Sequence, residues 1–152
     1  MKGNKVVEIA KKEVGYSESP ANSNKTKYGK WFGLDGVAWC AIFVSWCYNK
    51  AGATLDAITN KNGFAGCQAA ATYYIKKKSV TLKPQAGDLV FFDWNGDKRY
   101  DHVGIFVEWV SKTEFNSVEG NTSTTNQSNG GSVMLRKRRN RNVLFVRPKV
   151  LD

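Results

Sequence analysis

The sequence predicts an α+β fold in which N-terminal helices pack on a C-terminal antiparallel β-sheet. Two changes along the chain point to it. Apolar residues recur at helical spacing through the first half, and after Pro84 they fall into short, β-rich runs. Helices first and strands afterwards is the order of an α+β protein rather than of alternating βαβ units. With 152 residues, 41% hydrophobic and 12% aromatic, the chain suits one buried core, so 1–152 is expected to be a single domain.

The elements follow in order. Val6, Ile9, Ala10 and Val14 share one helical face, and Gly15 stands where a C-cap belongs. Ser17 to Lys27 is rich in Ser and Asn and is expected to be a loop. Tyr28, Trp31 and Phe32 then lead into the Gly-rich turn 33–36. The run WCAIFVSWCYNKAG, 39–52, is almost wholly apolar at first and ends in glycine. It predicts a buried central helix starting near Cys40. A third helix is expected over 65–78. Strands are expected over 88–92, 102–110, 115–119, 132–138 and 143–147, and NTSTTNQSNGG (121–131) is expected to be a flexible loop by composition.

The cysteines Cys40, Cys47 and Cys67 make an odd count, so at least one thiol is free. Cys40 and Cys47 are seven residues apart on one helix, roughly 10 Å along the axis, and cannot bridge. The single histidine, His102, excludes zinc sites built on two imidazoles, and no paired C-x-x-C supplies an alternative. The formal charge is +10, with a late cluster over Arg136-Lys137-Arg138-Arg139-Asn140-Arg141. Such a cluster favours a polyanionic partner, or is a solvated hairpin tip. No apolar run approaches membrane-spanning length, so no membrane partner is expected.

Cys40 stands where a Gly-rich turn enters an apolar helix. There the helix dipole and free N–H groups stabilise a thiolate and could hold an oxyanion. The alternative is a buried structural thiol, which suits Cys47; Cys67 fits either description. A thiol nucleophile needs a base, and His102 at the start of a strand, with Gly104 leaving space beside it, is the group poised near neutral pH. Glu119, at the end of the next expected strand, would lie beside His102 and orient its ring. Asn121 is a second polar candidate, and an ordinary surface glutamate is the alternative for Glu119.

These residues carry a resemblance. EVGYSES (13–19), YGKWFGLDGVAWCAIFVSWCYNKAG (28–52), PQAGDLVFFDW (84–94), DHVGIF (101–106) and VEGNT (118–122) together resemble the CHAP family of cysteine, histidine-dependent amidohydrolases/peptidases. That family is related to the NlpC-type wall hydrolases and built on a papain-like cysteine hydrolase fold. The resemblance implies one catalytic domain over 1–152 that hydrolyses an amide of bacterial peptidoglycan, either N-acetylmuramoyl-L-alanine or a stem or cross-bridge peptide bond. It implies Cys40 as nucleophile, His102 as base and then acid, Glu119 as orienter of the imidazole, and Asn121 as a polar group near the site. The first half is most similar to the catalytic modules of phage endolysins and virion-associated lysins.

No cofactor is implied as a requirement. Asp35 stands alone where some phage relatives carry an acidic calcium loop, so that metal site is not expected. Asp93, Asn95, Asp97 and Asp101, in DWNGDKRYD, alternate as calcium ligands do. Lys98 replaces the expected glycine and the bidentate glutamate is missing, so a polar turn is the favoured description. Tyr28, Trp31, Trp39 and Trp94 flank the motifs and could line a groove for a glycan-peptide, although aromatics at such positions are more often core.

The expected partners are peptidoglycan and anionic wall polymers, with no nucleic acid, and a monomer is expected. Since the sequence shows neither an apolar secretory leader nor an appended wall-binding module, the expectation is synthesis in a host cytoplasm followed by release, or carriage in a virion. Two rivals stand beside this: a cysteine protease or toxin acting on a protein, and a basic module binding nucleic acid through Arg136 to Arg141.

Overall fold

A computed structural model describes residues 2–126 and 129–152. Helix α1 (Lys2–Lys12) buries Val6, Val7 and Ala10. It stops before Val14, which is therefore exposed rather than part of the expected face. Helix α2 (Lys27–Phe32) carries Tyr28, Trp31 and Phe32 toward the Gly-rich turn, a helix that no periodic face had marked. Thr26 caps it by accepting the Gly29 N–H at 2.9 Å, and Gly33 ends it at φ +94°.

Helix α3 (Cys40–Lys50) is the buried central helix, with eight of its 11 residues inaccessible. Its end is a Schellman cap. The Gly52 N–H reaches the Asn49 carbonyl at 3.0 Å, and the Ala53 N–H reaches Tyr48 at 2.9 Å. Gly52 sits at φ +75°, which a side chain would oppose. Helix α4 (Cys67–Lys76) is shorter than expected at both ends, so Cys67 becomes its first residue.

Five strands follow: β1 (Leu89–Phe92), β2 (His102–Trp109), β3 (Glu114–Thr122), β4 (Ser132–Arg139) and β5 (Val143–Val146). They form one sheet in the order β4-β3-β2-β1-β5, each neighbouring pair antiparallel. This is the predicted α+β arrangement. The expected loop over 121–131 begins later than anticipated, because β3 runs on through Thr122; residues 127 and 128 of it lie outside the described residues.

Strand alternation divides the apolar residues into two clusters. Val103, Ile105 and Val107 of β2 join Leu89, Phe91 and Val118 in the core shared with α1 and α3. Val90, Phe92, Phe106, Phe115 and Phe145 form a second, smaller cluster. Register places Phe92 opposite His102 and Val90 opposite Gly104, so His102 enters the sheet beside the second cluster. At the far side of β1, Arg147 ties the chain end to buried Asp88 at 3.0 and 3.1 Å.

Among the described residues, no helix is long and apolar enough to cross a membrane.

Candidate active site

Cys40 is the first residue of α3 and only 5% exposed. Its position comes from the segment before it, which side chains lock. The Asp35 carboxylate accepts the N–H groups of Thr26 and Gly36 at 3.0 Å each. The Trp39 indole donates to Glu18 at 3.0 Å. The turn into the helix is thus held from both sides, and the thiol is set where the first-turn N–H groups have no intrahelical partners.

His102, the first residue of β2, is fully buried. Its Nε2 pairs with Glu119 Oε1 at 3.0 Å. Its Nδ1 has no hydrogen-bond partner among the described residues, and Cys40 and His102 each shift the other's titration. Glu119, also fully buried, receives the Ser117 hydroxyl and both Nε and a terminal nitrogen of Arg138, at 2.9 and 2.6 Å. Gly104 makes room for it, since a Cβ there would stand 2.7 Å from Glu119 Cγ.

The electrostatics follow from these contacts. Burial would raise Glu119, but the Arg138 hydrogen bonds, followed by His102, bring it down to about 2. Burial would lower His102. The charge and hydrogen bonding of Cys40, followed by Glu119, outweigh burial and raise it to about 9. For Cys40 the largest influence is a hydrogen bond from the Cys67 thiol, Sγ to Sγ 3.6 Å. Burial opposes it, His102 and the Val103 N–H reinforce it, and the thiol falls well below its ordinary value. The two shifts run in opposite senses, Cys40 downward and His102 upward, and both favour a thiolate beside an imidazolium. Burial pushes Cys47 the other way, to an inert thiol.

The family model of the CHAP domain matches residues 32–121, which include Cys40, His102, Glu119 and Asn121. The chain belongs to the CHAP family. CHAP domains are hydrolases of the amidase or peptidase type that act on peptidoglycan. No curated protein matches the chain.

The other residues singled out in this CHAP domain are dispersed. Asn121 is buried at φ +56°, and its side chain bonds the Gly131 N–H at 3.0 Å and Asn129 at 3.1 Å. Through these bonds it orders the start of the following loop. Tyr28 and Trp39 are completely buried, with rings stacked at 5.6 Å; they are core and cannot line a groove. Trp94 does reach the site. It stacks on Phe92 at 4.9 Å and lies 6.0 Å from the His102 ring, with the Arg138 guanidinium 5.0 Å from its centroid.

In the 93–101 loop, the Asp93 carboxylate accepts the backbone N–H groups of Asp97 and Lys98 at 3.2 and 2.8 Å. Asp97 likewise accepts the Arg99 N–H at 3.0 Å. The alternating acids build a turn. No group of three or more His, Cys, Asp or Glu among the described residues could hold a metal ion.

Three site residues escaped the sequence reading. Cys67 fits a structural and a reactive thiol equally in sequence, Ser117 carries no local signal, and Arg138 lies inside a basic run. Period-2 alternation in β4 was the available clue, since Arg138 is buried between exposed Lys137 and Arg139. A cleft of about 550 Å³ opens beside it, bounded by Trp94, Lys137, Arg139, Arg141 and Asn142; Cys40 does not line it.

Proposed function

We propose that this CHAP domain is a cell-wall lysin that cleaves a peptidoglycan amide by cysteine nucleophilic catalysis, in the manner of phage endolysin modules. The observation that carries it is the line from Cys40 at a helix start, through buried His102, to Glu119 on Nε2. In this reading the Cys40 thiolate attacks the amide carbon, and the oxyanion meets the first-turn N–H groups of α3. The tetrahedral intermediate collapses as the imidazolium gives its proton to the leaving amine, forming a thioester. Neutral His102 then takes a proton from water, which attacks the thioester and releases a carboxylate and the Cys40 thiolate. Glu119 holds the ring with one nitrogen toward the sulfur and stabilises the imidazolium.

The scissile bond is the muramoyl–L-alanine amide or a peptide bond of the stem or cross-bridge. The basic cleft at Lys137, Arg139 and Arg141 supports retention near anionic wall polymers.

Digestion of purified peptidoglycan, with new termini identified by mass spectrometry, tests the reading. New amine termini are expected from wild type, and none from Cys40→Ala or His102→Ala. Cleavage of protein substrates with an intact wall would favour a protease or toxin instead. Added salt is expected to slow wall digestion by weakening attraction to the polymer.

A further inference from the structure

Cys67 is the first residue of α4 as Cys40 is of α3, so two helix N-termini bring two thiols to one point. Their sulfurs are 3.6 Å apart, against a disulfide bond of about 2.05 Å. A modest rotation of either side chain would bring them into bonding range. The start of α4 is pinned in place, because Gln68 accepts the Tyr100 N–H at 2.7 Å, two residues before His102. Cys67 is partly exposed, whereas Cys40 is nearly covered and Cys47 is enclosed. A reactive thiolate with an accessible second thiol beside it is the arrangement of a redox-sensitive pair.

We propose that Cys40 and Cys67 form a peroxide-responsive pair that closes into a reversible disulfide. The Cys40 thiolate attacks one oxygen of hydrogen peroxide; an S–O bond forms, the O–O bond breaks, and hydroxide leaves. Sulfur is oxidised to the sulfenic acid and peroxide is reduced. The Cys67 sulfur then attacks the sulfenic sulfur; an S–S bond forms, the S–O bond breaks, and the departing hydroxide takes the Cys67 proton as water. In sum, two thiols and one peroxide give one disulfide and two waters. A thiol reductant reverses the step by exchange. The disulfide also removes the nucleophile, so that the pair switches the enzyme off and protects Cys40 from irreversible oxidation. This consequence rests on the proposed role of Cys40; the disulfide itself does not.

The test treats the full chain with hydrogen peroxide, blocks remaining thiols and maps tryptic peptides by mass spectrometry. The expected product joins peptide 31–50 to peptide 62–76, with fragmentation placing the link at Cys40 and Cys67, and it vanishes on reduction. Peptidoglycan digestion is expected to fall with peroxide and recover about tenfold on reduction in wild type. Cys67→Ser is expected to pass to the sulfinic acid and not recover. Sulfinic Cys40 in wild type without a linked peptide, or a link from Cys40 to Cys47, would overturn the proposal. Peptide mapping of wild type decides the matter even if Cys67→Ser fails to fold. It also does so if the chain proves inactive on peptidoglycan, so the two failures remain distinguishable.

Discussion

Arg138 closes on Glu119 with two nitrogens, at 2.9 and 2.6 Å, and the pair is almost entirely removed from solvent. A guanidinium in this fork geometry fixes the carboxylate in direction as well as charge. Glu119 in turn fixes His102. Arg138→Met would leave the buried carboxylate with His102 as its remaining cationic partner, and losing one member of a buried ion pair costs about 3–5 kcal/mol in comparable cases. Denaturant unfolding is expected to show that loss, and peptidoglycan digestion to fall with it. Arg138→Lys is expected to restore part of the stability but less of the activity, since ammonium cannot make the fork.

The same contacts set a pH dependence. Glu119 titrates near 2 when folded and near 4.3 when unfolded. Its stabilising contribution is therefore present above about 4.3 and is lost as pH falls through about 2. For His102 the folded value is raised to about 9. Its contribution is full below about 6.5 and is lost as pH rises through about 9. The alkaline limb of kcat/KM is expected near 9, where His102 loses the proton destined for the leaving amine. In Glu119→Gln that limb should move down by part of the rise, because Cys40, the larger influence on His102, remains. An unmoved limb would show that Glu119 does not support the imidazolium.

Gly104→Ala is expected to damage the site without touching a reacting group. The added methyl would fall 2.7 Å from Glu119 Cγ, with the Val118 carbonyl at 3.2 Å. Overpacking of this kind costs about 1–3 kcal/mol. The displaced carboxylate should lower kcat more than it raises KM, which steady-state kinetics would separate.

Tyr28→Phe separates core from groove. The Tyr28 hydroxyl donates to Glu13 at 2.7 Å, and its loss is expected to cost about 0.5–1.5 kcal/mol of stability. Because the ring is fully buried, KM should not change. A raised KM would return Tyr28 to the substrate surface.

The 93–101 loop offers a last test. Asp93→Ala removes a carboxylate that accepts two backbone N–H groups, and the turn loses the acceptor that holds it. Thermal unfolding should therefore begin lower in the variant. EGTA is expected to leave the wild-type midpoint unchanged, and a chelator-dependent fall would establish a calcium site.

How much of this was legible before folding depends on the range of the interaction that decides it. The apolar run 41–44, its glycine stop at Gly52, and the β-rich runs after Pro84 are local patterns, and they foretold α3 and all five strands to within a few residues. The placing of Cys40 at a helix start was legible for the same reason. His102 and Glu119 could be paired because adjacent antiparallel strands bring such positions together. Helix α2 was missed because its evidence is a cap, Thr26 to Gly29, rather than a periodic face.

Tertiary structure alone decided the rest. Arg138 lies 19 residues from Glu119, and Cys67 lies 27 from Cys40; alternation along β4 can signal that Arg138 turns inward, but no local pattern names either partner. In sequence, Arg138 is one cation among several in a run. In the fold it is the residue of that run whose side chain turns inward, where burial turns a surface charge into the anchor of a carboxylate. Tyr28 and Trp39 changed meaning in the opposite direction, from possible groove to core, because the packing of α2 against α3 enclosed both rings. The sequence determined which chemical groups were present and which local elements carried them. The packing of helix ends against strand ends decided which groups meet, because desolvation and contact at a few ångströms set their charge and reactivity.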